Sequence, residues 1–223
     1  QKKIVVKGKT FLLKWFKYGS PISIWLSLGL AFHFLDRFFI NQYLANYELG
    51  VYAGVQELIT RSFSLTLFPI ILSIHPRLMI LWNKSYYDKV RDLMIFSLRL
   101  VLLLGMFIFF IIWQFDKYIF LLIESAIPQF NYKYKELILP LFAAGFLWQL
   151  SLLTHKMLEL KEKTKFMVIA LIPSLIINII GNIIFLPKMG LVATAYTALF
   201  SSLLYCIITG IHCIKNINKL KFI

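Results

Sequence analysis

The stretch ISIWLSLGLAFHFLDRFFINQYL (22–44), with the polar turn ANYELG (45–50) and the apolar run from Val51 to Ile74 behind it, decides the fold. A helix needs about 20 mostly apolar residues to cross a bilayer, and each run has that length. Yet the first carries Asp36 and Arg37, at a depth where one charged side chain costs about 2.5–3.5 kcal/mol on insertion scales. Such charges need partners. The second run holds Glu57 and Arg61, and a turn centred near Tyr47 sets Arg37 opposite Glu57 in an antiparallel hairpin. Glu57 and Arg61 also stand at i and i+4 with the acid first, the favourable order for a pair within one helix. The charges are expected to meet inside the membrane.

Four more apolar runs follow, about Leu93–Phe115, Leu137–Leu158, Phe166–Pro187 and Leu191–Ile214. With 60% of its 223 residues hydrophobic, against roughly 45–50% in soluble domains, the chain reads as an all-α, polytopic membrane protein with six spans. A basic lead-in (1–19) precedes the bundle (20–215), and a basic tail (216–223) closes it. The chain begins with Gln, which reads as a piece of a longer protein.

There are 24 Lys and Arg against 10 Asp and Glu, a net charge of +14. The basic residues cluster between spans instead of covering a polar domain, which points to anionic membrane lipid and away from nucleic acid. Lys2 to Lys17, then Arg77 to Arg91, Lys156 to Lys165 and Lys215 to Lys221 fall on one side, while Lys117, Lys133, Lys135 and Lys188 fall on the other. By the excess of Lys and Arg in cytoplasmic loops, both termini are expected in the cytoplasm.

The turn ANYELG lies outside and makes the first two spans neighbours. His75–Asp92 is expected along the inner leaflet, and Asp116–Glu136, with its short run YIFLLI, as an interfacial or re-entrant turn. Lys161–Lys165 reads as a tight inner turn and Pro187–Gly190 as a tight outer one. Pro140 suits a first helical turn, while Pro173 is expected to kink the fifth span. Asn178 and Asn182 share one face. Gly190, Thr194, Ala198 and Ser202 form a strip of small residues that lets another helix approach. Tyr43, Tyr47, Tyr52 and Trp113 read as an aromatic belt.

Chemistry is not indicated. Cys206 and Cys213 lack the C-x-x-C spacing, and His33, His75, His155 and His212 are scattered without a second ligand at metal spacing, so no metal or cofactor is expected. A membrane enzyme needs a positioned base or nucleophile, and the short outer loops hold no such constellation. A transporter or a non-catalytic membrane subunit remains.

Asp36-Arg37, the run Glu48-Leu49-Gly50-Val51-Tyr52, and Pro69 and Pro76 closing the second helix resemble a transporter pattern. Lys163-Thr164-Lys165, Asn178, Asn182, Pro187, Gly190 and Ala193-Thr194-Ala195 extend it. Nearly the whole chain resembles the C-terminal half of a polysaccharide or O-antigen flippase, in the superfamily that also holds multidrug extrusion and lipid II transporters. The resemblance implies one six-helix lobe of a two-lobe transporter in the cell membrane. Its partner would be the N-terminal lobe of the parent chain or a second copy. The cargo would be a lipid-linked pyrophosphate oligosaccharide, moved by alternating access for surface polysaccharide such as lipopolysaccharide. A small-molecule or drug exporter of the same superfamily is the alternative; it would want an unpaired acid in its pathway.

An anionic headgroup calls for a water-filled cavity lined by basic side chains. Arg37, Arg61, Asp36, Glu57 and Arg99 are the candidates for its lining, against the plainer alternative that Asp36, Arg37, Glu57 and Arg61 form a neutral cluster between helices. Arg99 lies near the inner end of its helix, within snorkelling reach of the interface. Asn178 and Asn182 suit interhelical hydrogen bonds or sugar hydroxyls, and His33, at helical spacing from Asp36 and Arg37, a proton relay.

Overall fold

Long apolar runs leave backbone N–H and C=O groups no partners in hydrocarbon except one another, which forces helix. In the computed structural model, which describes residues 8–220, the order is α1 (Gly8–Tyr43), α2 (Asn46–Thr66), α3 (Phe68–Asn83), α4 (Tyr87–Gln114) and α5 (Asp116–Ala126). A 3₁₀ turn (Tyr132–Leu137) leads into α6 (Ile138–Thr154) and α7 (Lys156–Leu160), and α8 (Thr164–Met189) and α9 (Leu191–Leu220) close the bundle. No strand occurs among the described residues. Five segments are long and apolar enough to cross a membrane, and α2 with α3 makes a sixth, bent by 43°. The protein is a multi-pass, all-α membrane protein. The basic lead-in is helical from Gly8 and runs straight into the first span; residues 1–7 and 221–223 lie outside the described part.

Several boundaries differ from expectation, each for a local reason. The second span does not end near Ile74 but breaks at Leu67 and continues to Asn83. Pro69, with no N–H to give, sits in the first turn of α3, where that group has no helical partner anyway. Pro76 lies inside α3 instead of closing it. The apolar part of His75–Asp92 is therefore helix, and the connection shrinks to the turn before Tyr87, where Ser85 takes φ 57°. The first turn is Leu44–Ala45; Asn46 to Gly50 already belong to α2, with Glu48 in its first turn, where the helix dipole favours an acid. Pro187 lies within α8, and the outer turn rests on Gly190 at φ 65°. The backbone stays helical through Pro173. α5 is too short to span; it buries Ile123 and leaves Tyr118, Leu121 and Leu122 outward.

Val51, Tyr52, Val55, Ile59 and Phe63 form the buried face of α2, packing on Leu141 and Ala144 of α6 and Ala195 and Ala198 of α9. On the other flank Trp25 and Phe32 of α1 meet Leu171 and Leu175 of α8 and Tyr205 of α9. Thr194, Ala198 and Ser202 are buried, as a close-packing strip requires. Two polar links staple this core: Trp25 Nε1 donates to Tyr205 Oη at 2.8 Å, and Thr154 Oγ1 donates to Thr209 Oγ1 at 2.8 Å. Tyr205→Phe strands the indole N–H, and bonds of this kind contribute about 0.6–1.7 kcal/mol in membrane bundles. A Tm lowered by roughly 2–4 °C is the expected outcome in detergent, and an unchanged Tm would show the bond to be idle.

The outward faces are mostly grease. α4 turns out Leu103, Met106, Phe107 and Phe110, α8 Ile169, Ile176, Ile180 and Ile184, and α9 Phe200, Ile207, Ile211 and Ile214. Exposed apolar surface on this scale belongs against lipid. One stretch of α1 and α2 differs.

A divided charge site on the α1–α2 hairpin

Consecutive helical residues point about 100° apart, so Asp36 and Arg37 cannot serve the same face. Asp36 turns inward and is 1% exposed. Its carboxylate accepts hydrogen bonds from Tyr52 Oη at 2.7 Å, Asn178 Nδ2 at 2.9 Å and Asn182 Nδ2 at 3.0 Å. Asn182 Nδ2 also reaches the Asn178 carbonyl at 3.0 Å. One acid thus binds α1, α2 and α8 together. The hollow beside it, bordered by His33, Gln56 and Ser202, holds about 30 Å³, room for a single water. Asp36 therefore does not line a passage for a sugar phosphate; three donors enclose it.

Arg37 turns outward. Its Nη2 lies 3.3 Å from Glu57 Oε2, and Arg61 Nε meets Glu57 Oε1 at 2.9 Å. The side chains of Arg37, Glu57 and Arg61 are 28%, 48% and 75% exposed, and the ladder carries a net charge of +1. Gln56 holds Arg37 from behind: its Oε1 accepts from Arg37 Nε at 3.3 Å while its Nε2 donates to the His33 carbonyl at 3.4 Å. The Phe34 ring lies 5.0 Å beneath the guanidinium. At 1.5 Å per residue Arg61 sits roughly 22 Å along α2 from Asn46, a distance shorter than the ~30 Å thickness of a hydrocarbon layer. Both expected pairs, Arg37 with Glu57 and Glu57 with Arg61, are present.

Arg99 is not brought to this ladder. It is exposed on α4 and borders a separate shallow hollow with Arg91, Asp92 and Asn218. Tyr52 is fully buried and is no member of an aromatic belt. The His33 ring packs edge-on to Trp148 at 4.8 Å.

Sequence reasoning missed a second polar knot. Glu159 on α7 accepts from Lys156 Nζ at 2.9 and 3.0 Å, pairs with His155 Nε2 at 2.9 Å, and has His75 Nδ1 of α3 at 3.3 Å. The i, i+4 spacing of His155 and Glu159 is visible in sequence; the approach of α3 is not. Lys161 Nζ donates to Asn216 Oδ1 at 2.6 Å and joins the α7–α8 turn to the end of α9. Burial, and the nearby charges of Lys163 and Lys219, push the Lys161 ammonium pKa below its ordinary value. Among the described residues no three His, Cys, Asp or Glu gather as a metal site would require.

The chain matches no family model, no curated protein and no solved structure.

Proposed function

We propose that the chain is one lobe of a membrane transporter that moves an anionic, lipid-linked oligosaccharide across the cell membrane by alternating access. The observation that carries this reading is the outward Arg37–Glu57–Arg61 ladder. Charged side chains at this depth face a water-filled path or another protein surface, because hydrocarbon does not solvate them. The contrast with the apolar outward faces of α4, α8 and α9 supports this side of the bundle as the one turned to such a path. A second lobe, in the parent chain or a second copy, completes its wall. The grouping of Lys and Arg in alternate connections supports cytoplasmic termini.

The ladder's sign favours an anionic cargo. Glu57 is engaged by two guanidiniums and Asp36 is enclosed, so neither is an unpaired acid for an organic cation. Only Nε of Arg61 is engaged among the described residues, which leaves its two terminal nitrogens for a phosphate, a geometry suited to a forked donor.

Arg37→Gln and Arg61→Gln in the full-length protein test this. A charge-assisted hydrogen bond contributes about 1.5–3 kcal/mol, so glycan export at matched membrane expression is expected to fall roughly 10- to 100-fold in each variant. Arg61→Lys keeps the charge and loses the fork, and is expected to recover only part. Wild-type export from both glutamine variants, or purified protein that prefers organic cations to an undecaprenyl-pyrophosphate glycan, overturns the proposal.

A further inference from the structure

A large hollow lies away from the ladder. About 1190 Å³ opens where the N-terminal part of α1, the end of α3 and the α7–α8 turn converge. Its walls are of two kinds. Trp15, Trp82, Phe166 and Ile169 supply apolar and aromatic surface, while Lys17, Lys163 and Lys165 supply basic groups.

Two acids share the lining, Glu159 and Glu162. Glu159 is already held by Lys156 and His155. Among the described residues, Lys17, Lys163 and Lys165 have no acid within ion-pair distance. Glu162 is likewise without an ion pair among the described residues, so three lysines against one acid leave the hollow a free charge of +2. α8 also begins here, at Thr164, without a side chain capping its first turn, so the positive end of its dipole faces the same region. Amphipathic Trp and Tyr side chains settle at headgroup level, and Trp15, Tyr18 and Trp82 place this hollow at such a depth.

We infer that this hollow is a binding site for an anionic glycerophospholipid of the surrounding leaflet. Its phosphate would be held by Lys17, Lys163 and Lys165, and the upper part of its acyl chains would lie along Trp82, Phe166 and Ile169. Basic pockets between transmembrane helices on one side of a bilayer recognise acidic headgroups in this way. The bound lipid would bridge α1, α3 and α8. The site stands independently of the transport reading.

Native mass spectrometry of the purified full chain, equilibrated with phosphatidylglycerol or phosphatidylcholine, tests it. Retention of one phosphatidylglycerol in preference to phosphatidylcholine is expected. Each lysine near an acidic headgroup contributes about fivefold, so the combined Lys17→Gln, Lys163→Gln and Lys165→Gln variant should bind roughly 100-fold more weakly. Ile169→Trp fills the hollow with every charge in place, and loss of retention there supports a seated lipid. Lys89→Gln with Lys219→Gln removes two charges outside the hollow and should leave retention unchanged. Equal loss in that control, no effect of Ile169→Trp, or displacement by millimolar inorganic phosphate would each overturn the assignment.

Discussion

Asp36→Ala is expected to remove most folded protein from the membrane, and what can be purified should unfold at a much lower temperature. Two terms oppose each other. Deleting the acid relieves an insertion cost of about 2.5–3.5 kcal/mol, yet it strands the Tyr52 hydroxyl and the Asn178 and Asn182 amides in a dry interior. Each orphaned donor costs about 1–3 kcal/mol, so three outweigh the relief and the net loss is on the order of 3 kcal/mol. The geometry adds to this, because one carboxylate joins α1, α2 and α8. Asp36→Asn keeps one acceptor oxygen but adds a donor, and should fall between wild type and alanine. The sharper comparison is Asp36→Leu with Tyr52→Phe, Asn178→Leu and Asn182→Leu. Replacing donors and acceptor together with apolar groups leaves little unpaired and should restore much of the stability. A wild-type Tm for Asp36→Ala would show that the carboxylate does not tie the helices.

Loss of Asp36 and loss of Arg37 should thus look different, although the two are adjacent in sequence. The first lowers stability; the second leaves the bundle folded and lowers export. Asp36 belongs to an interhelical cluster on the inward face, but with Tyr52, Asn178 and Asn182 instead of Arg37, Glu57 and Arg61; a lined pathway is proposed only for the outward ladder.

How far this was legible in the sequence follows from what each inference needed. Span count needed only apolar length, which the hydrocarbon thickness sets, and all six runs appear as helices. The pairing of Arg37 with Glu57 survived an error of about two residues in the turn, because both side chains are long enough to absorb it. Tyr52 did not survive that error. With the turn at Leu44–Ala45 it stands opposite Asp36, whereas a turn near Tyr47 puts it at the membrane surface. Asn178 and Asn182 announce a shared polar face by their spacing, but a helix periodicity says nothing of which helix lies across it; only packing brings α8 to Asp36. Pro69 was visible and its effect was ambiguous, since a proline that ends one helix equally starts the next. The knot around Glu159 and the basic hollow depend on elements far apart in the chain, which no local pattern encodes.

A close approach of α8 to α9 sets the other large expectation. Gly181 of α8 faces Thr197 of α9 so tightly that a Cβ on residue 181 would lie 1.9 Å from Thr197 Cγ2 and 3.2 Å from its Cβ. Thr197 cannot easily turn its methyl aside, because its hydroxyl donates to the carbonyls of Ala193 at 2.7 Å and Thr194 at 2.9 Å. Gly181→Ala must therefore push α8 from α9. Overpacking of this kind costs about 1–3 kcal/mol in ordinary cores. Here the displaced turn also carries Asn178 and Asn182 away from Asp36, so the cost should lie at the upper end, about 3 kcal/mol, with a Tm lower by roughly 6–12 °C. Because the clashing atom is one methyl, the remedy is specific. Thr197→Ser deletes Cγ2, keeps the hydroxyl, and leaves a 3.2 Å contact that small shifts accommodate. Gly181→Ala with Thr197→Ser should regain most of the lost Tm, whereas Thr197→Ser alone should change it little. Additive losses in the double variant would mean that residues 181 and 197 do not meet, and the packing of α8 on α9 would have to be redrawn.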